Sequence, residues 1–159
     1  DAKRNTDMPY LPRFGVELTL PKNWQQVSYL GYGPQECYID KHHLAWFDAF
    51  ESTVEDMHED YIKPQENGNH YHCRKASVGN GTNGVTAYAA TNFDFSVSNY
   101  SDYELAVKMH NYELEESDFV TMHLDYKNSG VGSNSCGPQL LPQYQMNDKE
   151  FEWEYQLKF

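Results

Sequence analysis

The apolar positions of this chain recur on a period of two far more often than on a period of 3.6. Phe14, Val16, Leu18 and Leu20 alternate with Gly15, Glu17 and Thr19, which gives one apolar face to a strand that Pro21 closes. Residues 24–30 suit a second strand. They run into Gly31-Tyr32-Gly33-Pro34, where two glycines and a proline force a turn. A strand over 71–77 should end in Gly79-Asn80-Gly81-Thr82-Asn83-Gly84, whose residues tolerate the positive φ of tight turns, so 85–90 returns as the other arm of a hairpin. Phe93, Phe95 and Val97 keep the alternation, and residues 119–126 form a further strand. Phe151, Trp153, Tyr155, Leu157 and Phe159 alternate with Glu152, Glu154, Gln156 and Lys158, the cleanest strand pattern of all, which predicts one closing strand inside a sheet.

Helical signals are few. Ser101-Asp102-Tyr103-Glu104 reads as a capping box that opens a short helix toward Met109, the longest expected. Leu44, Trp46, Phe47 and Phe50 fit either one side of a second short helix or a compact loop buried by its aromatics. Short strands between glycine and proline turns, with one or two short helices, describe an all-β antiparallel sandwich or barrel. At 159 residues the chain fits one domain.

Composition narrows the partners. A formal charge of -12, from 24 acidic and 12 basic residues, repels phosphate backbones and anionic lipid, so neither nucleic acid nor membrane is expected. No apolar run approaches the roughly 20 residues that span a bilayer. Cys37, Cys73 and Cys136 are odd in number and irregularly spaced, which suits reduced structural thiols better than disulfides or a zinc knuckle. The polar opening without a methionine is what a segment cut from a longer polypeptide would show.

Glu36, Asp40 and Glu66 are the carboxylates best placed for acid–base work, because each sits in a turn-rich segment among aromatics. The commoner fate of such groups is to bind backbone amides and hold a loop in shape. His70 and His72 lie two apart on a predicted strand, on one face, with Cys73 on the other. Zinc would need His42, His43 or His58 nearby, so polar face-filling is the expected role. Asn80-Gly81-Thr82 and Asn99-Tyr100-Ser101 match the glycosylation pattern and read as turns. No nucleophile elbow, Walker loop or dinucleotide fingerprint occurs. The residues by themselves thus reach an acidic, aromatic-rich β domain whose loops suit a carbohydrate, and a lectin-like module fits as well as part of an enzyme.

Gly31-Tyr32-Gly33-Pro34-Gln35-Glu36-Cys37-Tyr38-Ile39-Asp40 resembles the Gly-x-Gly-Pro-x-Glu-x-Tyr-x-Asp signature of large bacterial β-galactosidases. Tyr61-Ile62-Lys63-Pro64-Gln65-Glu66-Asn67-Gly68-Asn69 resembles that family's Tyr-x-x-Pro-Gln-Glu-Asn-Gly segment, and Pro12-Arg13-Phe14-Gly15 is similar to the strand before both. Gly130-Val131-Gly132-Ser133-Asn134-Ser135-Cys136-Gly137-Pro138 resembles its Gly-x-Gly-Gly-Asp-Asp-Ser-Trp-x-Pro loop, one residue shorter and with Cys136 where well-known members carry a tryptophan.

The resemblance implies the second half of the C-terminal supersandwich of a family-two glycoside hydrolase, a galactose mutarotase-like fold. Family-two β-galactosidases are retaining, with two glutamates about 5 Å apart on a separate (β/α)8 barrel that this chain does not resemble. It further implies that the chain is inactive alone and that its partners are the rest of the enzyme chain or a large subunit. A β-galactoside substrate, possible homo-oligomers and a cytoplasmic setting complete that picture. Gly132, Ser133, Asn134, Ser135 and Cys136 would face the sugar, without an aromatic platform for the leaving group. Glu36, Tyr38, Asp40, Glu66 and Asn67 would structure the loops. The chain itself would hold no cofactor. The parent enzyme would use magnesium and sodium, with the Lys63 and Pro64 carbonyls at sodium-ligand positions.

Overall fold

Hydrogen-bonded ladders follow the alternation in the computed structural model, which describes residues 1–5, 7, 9–131 and 137–159. The elements are β1 (Ala2–Lys3), β2 (Arg13–Pro21), β3 (Gln26–Gly33), β4 (Trp46–Thr53), β5 (His70–Gly79), β6 (Gly84–Ser98), α1 (Asp102–Val107), β7 (Phe119–Asn128), β8 (Glu150–Phe151) and β9 (Tyr155–Lys158). A seven-stranded sheet runs in the order β2-β7-β6-β5-β3-β4, with β9 also on β6, while β1 and β8 make a separate pair. Every pairing is antiparallel. The all-β antiparallel class expected from the sequence is what the structure has.

Register explains the core. Val16, Leu124 and Phe95 share one cross-strand row, Leu18, Met122 and Val97 the next, and Val27, Val78 and Val85 a third. These residues form one apolar cluster, against which Trp24, Phe50, Trp153 and Leu157 pack. β6 is long enough to serve two partners on one side: residues 86–89 pair with β9 and 94–98 with β7.

Four expectations change. Residues 46–53 form neither a helix nor an irregular loop but β4, which pairs with β3 from Gln26↔Thr53 to Gly33↔Trp46. Trp46 and Phe50, four apart, share a face in either conformation, and the open edge of β3 decides for the strand. The closing segment splits into β8 and β9, because alternation fixes side-chain direction but not the partner strand. His70 and His72 do not sit on a regular strand face. The register shifts between His70 and Cys73, and His72 is left-handed at φ 61°. Both His70 and Cys73 are buried as a result. α1 stops at Val107, short of Met109, and Ser101 Oγ accepts the Glu104 N–H at 3.2 Å as the cap motif requires.

Candidate functional site

The two loop motifs meet around Glu36. β3 ends at Gly33, where a Cβ would lie 2.2 Å from the Tyr29 hydroxyl, so only glycine lets the chain turn there. The turn delivers Glu36 to the segment 61–69. Its buried carboxylate accepts hydrogen bonds from Lys41 Nζ, from the Tyr61 hydroxyl and, at 2.8 Å, from the Gly68 N–H. Lys41 Nζ also donates to the Tyr61 hydroxyl at 2.9 Å. Burial alone would lower the Lys41 pKa, but the bonds to Glu36 and Tyr61 outweigh it and hold the ammonium above its ordinary range. Backbone bonds continue the join: Cys37 N donates to Asn69 O at 2.7 Å, and Asn69 Nδ2 to Cys37 O at 2.9 Å. Asn67 Oδ1 accepts the Glu59 N–H at 3.1 Å, and its amide donates to Gln65 O at 2.9 Å.

Asp40 carries the join to the end of β7. Its Oδ1 accepts the Val131 N–H at 3.2 Å, and a Cβ on Gly130 would fall 2.4 Å from Asp40 Cγ. Glycine at 130 therefore lets the carboxylate come against the backbone that leads into residues 132–136. The proposed sugar-facing residues Gly132, Ser133, Asn134, Ser135 and Cys136 lie outside the described residues. Tyr38 is buried, and its hydroxyl has no hydrogen-bond partner among the described residues. Burial, reinforced by Glu66 and Glu36, keeps that phenol neutral far above its usual pKa.

Glu66 joins a second knot, centred on Arg13. The guanidinium binds Glu66 Oε2 at 2.9 Å and Asp125 Oδ2 at 3.1 Å from Nε and 2.5 Å from Nη2. Desolvation opposes this charge, yet the two carboxylates raise the Arg13 pKa. Burial in turn raises the pKa of Glu66 and of Asp125, against the pull of Arg13. Beside Asp125, Asp94 is buried with its oxygens on the His72 N–H at 3.2 Å and the Asn128 N–H at 3.1 Å. Burial pushes its carboxyl up to about 7 despite those two bonds. His70 is driven the other way, down to about 4, by burial that its Tyr32 carbonyl contact only partly offsets.

Arg13, Asp94, Asp125 and Asn128 have no assigned role in the sequence reading. Arg13 stood in a quoted motif, and only a lone arginine at a strand start marked it. Asp94 and Asp125 look like solvent-facing positions between apolar residues, whereas the register puts them opposite each other. Lys63 is exposed and Pro64 buried, and their carbonyls are hard oxygen donors of the kind a sodium ion takes. His42 stacks on His43 at 5.0 Å, while His58 lies near Asp60 and Asn111. Among the described residues, the group of side chains able to share a metal is Glu17, Asp102 and His123, and none of these was a sequence candidate.

Comparison with known proteins covers nearly all of this chain. The family described as beta galactosidase small chain matches residues 1–158. A beta-galactosidase of Actinobacillus pleuropneumoniae is 46% identical over 159 residues, 100% of this chain and 15% of that protein. One from Staphylococcus xylosus is 40% identical over 159 residues, 100% of the chain and 16% of that protein. One from Streptococcus thermophilus is 32% identical over 155 residues, 96% of the chain and 15% of that protein. The chain thus spans about 15% of the length of the relatives it matches. With its two loop motifs bound to each other and its whole length matched, the chain belongs to the beta-galactosidase small chain family.

Proposed function

We propose that this chain is the C-terminal, non-catalytic segment of a retaining family-two β-galactosidase that removes terminal β-D-galactose in the bacterial cytoplasm. The observation that carries the reading is the chain of contacts Gly68–Glu36 and Asp40–Val131, which ties both motifs to the stem of residues 132–136. In this reading Glu36, Tyr38, Asp40, Glu66 and Asn67 hold the loops. Gly132, Ser133, Asn134, Ser135 and Cys136 face the sugar. The Lys63 and Pro64 carbonyls hold sodium, and magnesium belongs to the rest of the enzyme. A thiol at 136 offers no stacking face, so the leaving sugar is gripped differently than by an aromatic.

Bond cleavage falls to a barrel supplied by the rest of the protein, as one chain or as a large subunit. The edge strand β4 fits this arrangement, because Trp46 and Phe47 are exposed on it with Leu44 just before it, apolar surface that a neighbouring domain would cover. Expression of the complete gene product, with any large subunit, should give turnover of nitrophenyl β-galactoside, while this chain alone gives none. A well-folded complete protein without turnover, or an active isolated chain, overturns the reading.

A further inference from the structure

Glu17 and His123 stand directly opposite each other on β2 and β7, and Asp102, the first residue of α1, reaches the same point. Their three ligand atoms lie within 4.8 Å of one another. We propose that they bind one divalent ion of the zinc class, which fastens α1 to the sheet. None of the three lies in a loop motif, and no part of the β-galactosidase reading is needed.

Local structure delivers each ligand. A directly opposed antiparallel pair shares one face of the sheet with its Cβ atoms about 5 Å apart, so Glu17 and His123 are neighbours by register alone. Ser101 caps α1, its Oγ accepting the Glu104 N–H, which frees the Asp102 carboxylate from capping. Asp102 Oδ1 instead accepts from His123 Nε2 at 3.1 Å. Two ligands of a tetrahedral zinc, each about 2.0–2.1 Å from the ion, stand at a similar spacing of roughly 3.3 Å. Glu17 is exposed, and its carboxylate makes no hydrogen bond or salt bridge among the described residues, so a turn of its side chain completes the set. The ion replaces the proton that Nε2 shares with Asp102, and that proton leaves to solvent.

A second observation is independent of the ligands. Thr121 is two residues from His123, hence on the same face of β7, and is 2% exposed. Its Oγ1 has no hydrogen-bond partner among the described residues. A buried hydroxyl of that kind marks a place for water or an ion, and three protein ligands leave the fourth zinc position to a water whose hydrogens need acceptors. Thr121 and His123 are about 7 Å apart along the strand, which leaves room for that water between them.

Charge and ligand type select the ion. Arg13 is taken up by Glu66 and Asp125, so Asp102 and Glu17 are left without a cation other than the His123 ring. In a chain of formal charge -12 that corner attracts positive charge. One imidazole nitrogen with two carboxylate oxygens suits a borderline first-row ion, whereas magnesium and calcium take oxygen alone.

The test uses the full protein that carries this chain, stripped with a chelator, held in saturating magnesium and titrated with zinc. α1 has six residues, a length that is marginal by itself, so hydrogen exchange of its amides reports the tether. Zinc should slow that exchange at least about 10-fold, and Glu17→Gln and Asp102→Asn should each raise the zinc midpoint at least about 10-fold. Glu17→Gln alters an exposed side chain and leaves folding intact. If Asp102→Asn loosens α1 without metal, Glu17→Gln carries the result. No slowing at about 1 mM zinc, slowing that Glu17→Gln leaves unchanged, or equal slowing by magnesium alone overturns the inference.

Discussion

The two ends of β5 and β6 are built on opposite terms. At the hairpin end, Val78 pairs with Val85 and Gly79 with Gly84, the register is unbroken, and the side chains turned inward are apolar. At the other end the register shifts twice, at His70–Cys73 and Cys73–Lys75, and the buried residues include Asn69, His70, Asp94, Asp125 and Asn128. The hairpin end is held by burial of hydrocarbon, which has no direction. The loop end is held by hydrogen bonds and ion pairs, which fix direction and so can aim a loop. The motifs gather at the second end.

The contrast can be broken hardest at Arg13. Arg13→Ala leaves Asp125 buried without its cation and Glu66 with neither oxygen bonded, which should cost about 3–5 kcal/mol. Native-state hydrogen exchange of the β7 amides reads this as a loss of protection, and unchanged protection would show that the ion pairs are dispensable.

Next is the pH dependence of the same end. Asp94 titrates near 3.8 when unfolded and near 7 when folded, so the folded state retains a proton that the unfolded state releases. Its stabilising contribution is complete below about pH 4 and is lost as pH rises through 7, on the order of 4 kcal/mol in full. His70 works in the opposite sense: its folded value near 4 gives stability that is present above 6.5 and lost as pH falls toward 4. Asp94→Asn should therefore shrink the decline between pH 4 and 7 and leave the His70 limb, the remaining decline belonging to Glu66 and Asp125, whose carboxyls burial also raises. An unchanged slope in urea unfolding of the variant would exclude Asp94 as its source.

The smallest effect sharpens the other side. Val78→Ala at the hairpin end should cost about 2 kcal/mol, from lost burial and a small cavity, with no dependence on pH. Thermal unfolding at pH 5 and pH 8 checks both statements, and a pH-dependent loss would mean that the two ends are coupled.

Legibility follows the same division. β2, β3, β5, β6 and β7 could be read from alternation because one face of each is apolar, and the hairpin turn from its glycines and asparagines. β4 could not, since Trp46 and Phe50 satisfy two periodicities at once. In the site, Glu36, Asp40, Glu66 and Asn67 stood out within motifs, and the structure gives each a bonded partner. Asp94 and Asp125 did not, and Arg13 stood in a motif without a role, because their meaning lies in partners up to 112 residues away.

Sequence by itself determined the strand period, the turn positions and the two motifs, since each depends on neighbours a few bonds apart. Tertiary structure decided which strands pair, that β5 bulges at His72, and that Asp94 is buried beside Asp125 opposite the knot on Arg13. Register and burial are properties of strands brought together from distant parts of the chain, so no local pattern encodes them.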